Sequence, residues 1–96
     1  MGVIRLSHLA DGDLDGIRDH IQRDNPRAAN DMLDKLFEAL ESLANHPEMG
    51  ERREDLGENL RAFVVRPYVI FYHAAADGIH VARIIHGARD FPAMFR

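Results

Sequence analysis

Apolar residues recur at helical spacing through the first half of the chain. The first stripe follows a favoured N-cap at Ser7 and predicts an amphipathic helix that ends near Arg23; it consists of Leu14, Ile17 and Ile21. Asn25-Pro26 starts a second helix, because Asn caps well and Pro is tolerated at the first helical position. Its stripe, the strongest periodic signal in the chain, consists of Ala29, Leu33, Leu36, Leu40 and Leu43. Since Pro47 and Gly50 end this helix, the pattern predicts an antiparallel helix hairpin.

Runs of β-branched and aromatic residues lie on both sides of this hairpin. Val3-Ile4-Arg5-Leu6 precedes the first helix and predicts a strand, while the charged stretch at residues 51–58 is typical of an exposed connection. Three further strands, separated by turns at Arg66-Pro67 and at residues 75–78, are predicted over Leu60 to Val65, Tyr68 to His73 and Ile79 to His86. We therefore predict an α+β fold in which an N-terminal strand and a two-helix hairpin pack on one face of a small, mainly antiparallel sheet.

Both faces of the predicted sheet are rich in apolar residues, and strand alternation determines which residues share a face. The face that we expect to lie under the helices consists of Leu60, Ala62, Val64, Val69, Phe71, Ala82 and Ile84. The other face consists of Arg61, Phe63, Val65, Tyr68, Ile70, Tyr72, Val81, Arg83 and Ile85. On this second face Arg61, Tyr72 and Arg83 are expected to form a row across the three strands. Because arginine is very rarely fully buried, we expect the second face to stay open as an apolar cleft with cationic groups.

The composition places the chain among small globular proteins. Of its 96 residues, 46% are hydrophobic and 29% are charged, so we expect residues 1–96 to form one domain. The absence of cysteine suits a reducing compartment, and no apolar run approaches the length of a membrane span, so we expect a cytoplasmic protein. The net charge of −4 is uneven, with 7 basic and 14 acidic side chains in residues 1–59 but 5 and 2 in residues 60–96. This acidity disfavours direct nucleic-acid binding through bulk positive charge.

The six histidines of the chain show no metal-site pattern. Neither HxH nor HExxH spacing occurs among them, and no cysteine accompanies them, so we expect neither a metal nor another cofactor. His86 ends the last predicted strand beside Gly87, and we interpret it as a buried imidazole that is hydrogen-bonded to the backbone.

The strand region resembles the ParE toxins of the RelE/ParE superfamily. The similarity lies in Leu60-Arg61-Ala62-Phe63, Tyr68-Val69-Ile70-Phe71-Tyr72, Asp77-Gly78-Ile79 and above all Arg83-Ile84-Ile85-His86-Gly87-Ala88-Arg89-Asp90. The resemblance implies a β-α-α-β-β-β fold and a type II toxin that acts on DNA gyrase. It also implies a cognate ParD-like antitoxin that wraps a C-terminal segment over the toxin, giving a hetero-oligomer. The turn Arg66-Pro67 departs from the family, whose members often carry Gly there.

On this basis two sets of residues are candidates for binding. Those for the target or cleft are Arg61, Phe63, Tyr68, Tyr72, Arg83, His86, Arg89, Phe91 and Phe95. Those for the antitoxin are Leu14, Ile17, Ile21, Val65, Ile70, Val81 and Ile85. Structural alternatives stay open for three features: Arg61 and Arg83 as partners that stack on Tyr72, Arg89-Asp90 as an internal ion pair, and the apolar tail as a segment packed on the helices.

Two other function classes remain open. The RelE branch of the superfamily cuts mRNA on the ribosome, which requires proton transfer and stabilisation of phosphorane charge. Arg61 and Arg83 could supply the charge, and Tyr72 or His86 the proton, but a lysine cluster and a carboxylate base are missing from this face. The remaining class is an interaction module without toxicity. We favour a non-enzymatic gyrase inhibitor that is silenced by its antitoxin.

Overall fold

A computed structural model describes residues 2–95 of the protein. Its three helices are α1 (His8–Gln22), α2 (Pro26–Asn45) and the short α3 (Phe91–Met94), and a single 3-10 turn spans Pro47–Met49. Its strands are β1 (Val3–Leu6), β2 (Glu51–Arg52), β3 (Leu60–Val65), β4 (Tyr68–Ala75) and β5 (Gly78–His86). The structure confirms the predicted α+β order of strand, two helices and antiparallel strands.

The two long helices begin where the capping residues predict. The Ser7 Oγ accepts a hydrogen bond from the Ala10 N–H at 2.9 Å, and the Asn25 Oδ1 accepts one from the Ala28 N–H at 3.1 Å. Each cap satisfies a backbone donor of the first turn that has no partner within the helix. The helices then end at Gln22 and Asn45, next to the predicted boundaries.

The five strands form one sheet in the order β1-β5-β4-β3-β2. β1 pairs in parallel with the first part of β5, from Val3 opposite Gly78 to Leu6 opposite Val81, and the other pairs are antiparallel. β4 extends two residues beyond its predicted end, so the second turn shortens to Ala76-Asp77. The stretch that was predicted to be an exposed connection contributes β2, a two-residue edge strand beside β3.

The prediction of which sheet face the helices cover is wrong. The core beneath α1 and α2 contains Tyr68, Ile70, Tyr72 and Val81, which had been assigned to an open cleft. The face that carries Leu60, Ala62, Val69 and Phe71 lies on the other side and is covered by Leu56 and the C-terminal tail. Both faces are apolar enough to be buried, so strand alternation could not indicate which segment covers each face.

A β-bulge breaks the predicted row of arginine and tyrosine. Tyr72 lies opposite Val81, but its neighbour Phe71 lies opposite Arg83, so Ala82 is an extra residue in β5. The pairing of Arg61 with Tyr72 holds, whereas Arg83 is displaced from this row. The same shift turns Ile84 toward the helices, where it belongs to their core.

The C-terminal tail docks on the reverse face of the sheet and not on the helices. The Phe71 ring meets the Phe91 ring at 5.0 Å and the Phe95 ring at 4.9 Å between centroids, both edge-to-face. The Asp90 side chain caps α3 by accepting from the Ala93 N–H at 3.4 Å. With the helices on one face and the tail on the other, neither face of the sheet forms the expected open cleft. No helix within residues 2–95 is both long enough and apolar enough to cross a membrane.

Candidate functional site

One open groove lies where β1 stops pairing with β5. Beyond Val81 the edge of β5 faces α1, and the Ser7 Oγ donates to the Ala82 carbonyl at 2.7 Å. Between α1 and this edge lies a groove of about 310 Å³, which we call the α1–β5 groove. It is lined by Gly12, Asp13, Gly16, Ile17, His20, Tyr68, Arg83, Ile84, Ile85, His86, Arg89 and Met94.

Arg83 is bound by a carboxylate of α1 and is not an available cation. Its Nε and Nη2 donate to the two Asp13 oxygens at 2.8 and 2.9 Å, and the side chains of Arg83 and Asp13 are only 17% and 16% exposed. Donating these hydrogen bonds to the Asp13 carboxylate, and the negative charge of that carboxylate, raise the pKa of Arg83. Asp13 also accepts a hydrogen bond from the Ile84 N–H at 2.9 Å. One carboxylate therefore binds both the Arg83 side chain and a backbone donor at the edge of β5. The sequence analysis missed Asp13, since an acidic residue near the N-terminus of a helix is more often a partner of the helix dipole.

Arg61 and Tyr72 fasten the 3-10 turn to the sheet. The Arg61 Nη1 donates to the carbonyls of Glu48 at 3.2 Å and Gly50 at 2.7 Å. The fully buried Tyr72 hydroxyl accepts from the Gly50 N–H at 2.8 Å and donates to the Pro47 carbonyl at 2.6 Å. Burial raises the pKa of Tyr72. Tyr72 is buried, and the guanidinium of the half-buried Arg61 is bound to backbone carbonyls, so both side chains have structural partners.

His86 and Arg89 lie at the rim of the α1–β5 groove. His86 is exposed, so the predicted buried imidazole is wrong, although its Nδ1 accepts from the Ala88 N–H at 3.1 Å. Its ring also meets the buried Tyr68 ring edge-to-face at 5.6 Å, and burial raises the pKa of Tyr68. The Arg89 Nη2 lies 3.6 Å from the Met94 Sδ, and among the described residues no ion pair joins Arg89 to Asp90.

The antitoxin candidates occupy three different environments. Leu14, Ile70 and Val81 are buried in the core under the helices and present no surface to a partner. Ile17 and Ile85 are buried as well, but both line the α1–β5 groove. The half-buried Ile21 and Val65 pack at the edge of the helix-side core.

A second groove lies between α2 and the free end of β3 and measures about 530 Å³. This α2–β3 groove is lined by Lys35, Glu38, Ala39, Ser42, His46, Met49, Phe63, Val64 and Val65. Val64 is 59% exposed and Met49 is 44% exposed, so apolar surface is open here. The sequence analysis missed this site because Val64 was assigned to the face beneath the helices.

The α1–β5 groove thus gathers Tyr68, Arg83, His86 and Arg89 from the target candidates and Ile17 and Ile85 from the antitoxin candidates. Phe63 lines the other groove, while Phe91 and Phe95 belong to the tail that covers the reverse face. Gly12 and Gly16, which sequence analysis also passed over, lie in the groove on α1. The sequence does carry a signal for them, since glycine inside a helix is unfavourable unless its position demands it.

Comparisons with known proteins agree with this fold. The family model of the ParE toxin of the type II toxin-antitoxin system, parDE, matches residues 4–91. "Toxin RelE2" of Caulobacter vibrioides is 43% identical over 77 residues, covering 80% of this chain and 85% of that protein. "Toxin ParE3" of the same organism is 28% identical over 94 residues, covering 97% and 94%. A structure described as "Chromosomal ParDE TA system from P. aeruginosa" shares the fold with a TM-score of 0.75 at 21% identity, covering 90% of this chain and 96% of that chain. The chain therefore belongs to the ParE toxin family of type II toxin–antitoxin systems.

Proposed function

We propose that this toxin inhibits DNA gyrase by binding to it, without breaking a bond, and acts in the cytoplasm. The observation that carries the proposal is the match of the ParE toxin family over residues 4–91. The site supports it, because three of the side chains considered for RNA cleavage have structural partners. Arg61 binds backbone carbonyls, Tyr72 is buried, and Arg83 is paired with Asp13.

The α1–β5 groove and the adjoining tail are the proposed contact surface for gyrase. The exposed Arg89 and His86 stand beside the Tyr68 ring over an apolar floor. Arginine and aromatic residues that meet at the centre of an interface commonly account for most of its binding energy. A rim of this kind suits a protein partner better than a small polar substrate.

A DNA supercoiling assay tests the proposal. We expect the purified toxin to block supercoiling by gyrase at micromolar concentration. Replacing Arg89 with Ala should raise the inhibitory concentration about tenfold, the effect of losing about 1.4 kcal/mol of binding free energy. Arg52→Ala is the matched control, because Arg52 is an exposed arginine on β2, outside the groove. Undiminished supercoiling in the presence of the wild-type toxin would contradict the proposal.

We also propose that a cognate antitoxin covers the α1–β5 groove and forms a hetero-oligomer with the toxin. The structural relative is described as a ParDE toxin–antitoxin system, which supports a partner of this kind. The protein encoded by the neighbouring upstream reading frame should co-purify with the toxin and restore supercoiling. If that protein binds but leaves gyrase inhibited, the two partners do not share a surface.

Ribosome-dependent mRNA cleavage is the second candidate, favoured by the similarity to a relative named Toxin RelE2. His86 is the exposed proton-transfer candidate, so an enzyme of this kind should lose its activity in His86→Ala. Translating ribosomes incubated with the toxin, followed by mapping of mRNA ends, provide the test. If the wild-type toxin cleaves mRNA and His86→Ala does not, the protein is an endoribonuclease and the gyrase proposal is wrong. If expression without antitoxin leaves growth unaffected, the chain is instead an inactive interaction module.

A further inference from the structure

Two histidines lie directly opposite each other near the turn of the β4–β5 hairpin. His73 of β4 pairs with His80 of β5. The Ser7 N–H donates to the Val81 carbonyl on the β1 side of β5, so the backbone groups of the neighbouring His80 face β4. His73 and His80 therefore form a hydrogen-bonded pair, a type of pair whose Cα atoms lie about 5.5 Å apart.

Both imidazoles stand on the reverse face of the sheet, which the tail covers only in part. Ile79 and Val81, on either side of His80, belong to the core under the helices, so the His80 side chain points to the other face. His73 follows Phe71 by two positions and shares its face. The tail stacks on Phe71, whereas His80 is exposed and His73 is half-buried. Solvent and dissolved ions can therefore reach the pair.

Two imidazoles placed in this way suit one divalent transition-metal ion. Neutral imidazole nitrogen is a preferred ligand of Zn²⁺, Cu²⁺ and Ni²⁺. Side chains of a directly opposite pair have Cβ atoms about 4.5–5.5 Å apart. Two nitrogens bound tetrahedrally to one zinc ion at about 2.0–2.1 Å lie about 3.3 Å from each other, so the two rings need only lean together. Because the strands are already paired, only two side-chain rotamers remain to be ordered.

The neighbouring charges are compatible with a bound cation. Arg5 of β1 lies opposite His80, in the same row across the sheet. Its guanidinium donates to the two Asp77 oxygens at 2.9 and 2.8 Å, so its positive charge is balanced. On the other side His73 faces the apolar Leu60. Within residues 2–95 no group of three His, Cys, Asp or Glu could hold a metal, so water would complete the coordination of an ion held by this pair.

We propose that His73 and His80 chelate one divalent transition-metal ion of the class that prefers imidazole ligands, such as Zn²⁺. Each side chain supplies one ring nitrogen, and water fills the other positions. The ion links β4 to β5 and stabilises the folded toxin, since a ligand that binds only the folded state raises its stability. Spacing along the chain did not reveal this pair, because it depends on the register of the hairpin.

The chelate is separate from the proposed gyrase contact. His86, at the rim of the α1–β5 groove, pairs with Tyr68 at the opposite end of the same two strands. Neither His73 nor His80 lines that groove. The metal site can therefore be tested without reference to the toxin's target.

Calorimetric titration of the full-length toxin with Zn²⁺ tests the site. The protein is prepared without a polyhistidine tag, because such a tag binds the metal itself. We expect one equivalent of zinc to bind the wild type, and His80→Gln to weaken this binding about a hundredfold, since a single imidazole loses the effective concentration that a second ligand provides. His73→Gln should have the same effect. His8→Gln, the matched loss of one exposed histidine on α1, should bind like the wild type.

The imidazole NMR signals of the wild-type protein locate the ion without any substitution. We expect zinc to shift the ring signals of His73 and His80 together and to leave that of His8 unchanged. His20 and His86 are the competing pair, because both line the α1–β5 groove.

Binding of one equivalent with shifts at His73 and His80 supports the proposal. Failure of the wild type to bind zinc below about 1 mM would overturn it. Shifts confined to His20 and His86, or full affinity in both His80→Gln and His73→Gln, would also overturn it. None of these results alters the proposed inhibition of gyrase, which the supercoiling assay tests separately.

Discussion

The two faces of the sheet are covered in different ways. On one face α1 and α2 seal a continuous core around Tyr72, Leu36 and Leu40, all at most 1% exposed. On the other face the four-residue α3 and Phe95 cover Phe71, which is fully buried, but Phe91 and Phe95 themselves remain half-buried. Two apolar faces of one sheet are thus covered to different depths. Two long helices cover one face, whereas only the short α3 and Phe95 cover the other. The tail side is the weaker layer, although its central aromatic residue is as deeply buried as any under the helices.

The largest expected effect is the loss of a side chain from the helix side. Leu36→Ala should lower the free energy of unfolding by about 2–5 kcal/mol, because it leaves a cavity in a sealed core. Phe95→Ala, the matched truncation on the tail side, should cost roughly 1–2 kcal/mol, since that ring is only partly buried. Urea-induced unfolding measures both. Equal costs would mean that the tail is as integral to the fold as the helices.

A smaller effect is expected where polar groups join the helix layer to the sheet edge. Asp13→Ala removes both hydrogen bonds to Arg83 and the one from the Ile84 N–H, leaving a half-buried guanidinium without its carboxylate. We expect a loss of roughly 2–3 kcal/mol in unfolding free energy. Asp15→Ala removes the exposed pair with Arg18 and should cost at most about 0.5 kcal/mol. Thermal unfolding of the two variants should therefore differ clearly, and similar midpoints would show that Asp13 is not a structural link.

The next smaller effect on the free energy of unfolding is expected at Tyr72, and it depends on pH. Tyr72→Phe deletes bonds to the Pro47 carbonyl and from the Gly50 N–H and should cost about 1–2 kcal/mol.

Burial raises the pKa of Tyr72 above its ordinary value of 10.0, and that of Tyr68 likewise. The unfolded chain therefore loses these protons first, so their stabilising contribution is complete below pH 10 and declines as the pH rises above it. Unfolding free energies at about pH 9 and about pH 11 should differ less in Tyr72→Phe than in the wild type. An equal alkaline decline in both proteins would contradict this assignment.

The elements of the fold could be predicted from the sequence because their signals are local. Ser7 and Asn25-Pro26 start helices through their own side chains and ring geometry, and the stripe from Ala29 to Leu43 has the period of a helix. The runs of β-branched and aromatic residues likewise predicted four of the five strands, all but the two-residue β2. For the apolar tail the sequence left packing on the helices open, and the structure places Phe91, Met94 and Phe95 against the other face of the sheet.

The candidate site could be predicted only in part, because it depends on contacts between distant segments. His86 and Arg89 were identified and do lie together at the groove. The bulge at Ala82 has no local signature, yet it moved Arg83 away from Tyr72 and toward Asp13, 70 positions earlier in the chain. The sequence predicts an open cation at Arg61, because nothing in its strand indicates that the carbonyls of Glu48 and Gly50 lie within reach.

The smallest expected effect is a gain in stability at the glycines of α1. Gly12→Ala and Gly16→Ala should each raise the unfolding free energy by about 0.5–1 kcal/mol, since alanine favours the helix and its methyl group meets open space. Gly50→Ala is the contrasting variant, because its Cβ would lie 2.5 Å from the Tyr72 Oη and should destabilise the protein. Chemical denaturation measures all three, and a loss of stability in the α1 variants would contradict the open groove. If both variants gain stability while Gly16→Ala loses affinity for the antitoxin, these glycines serve binding at the expense of helix stability.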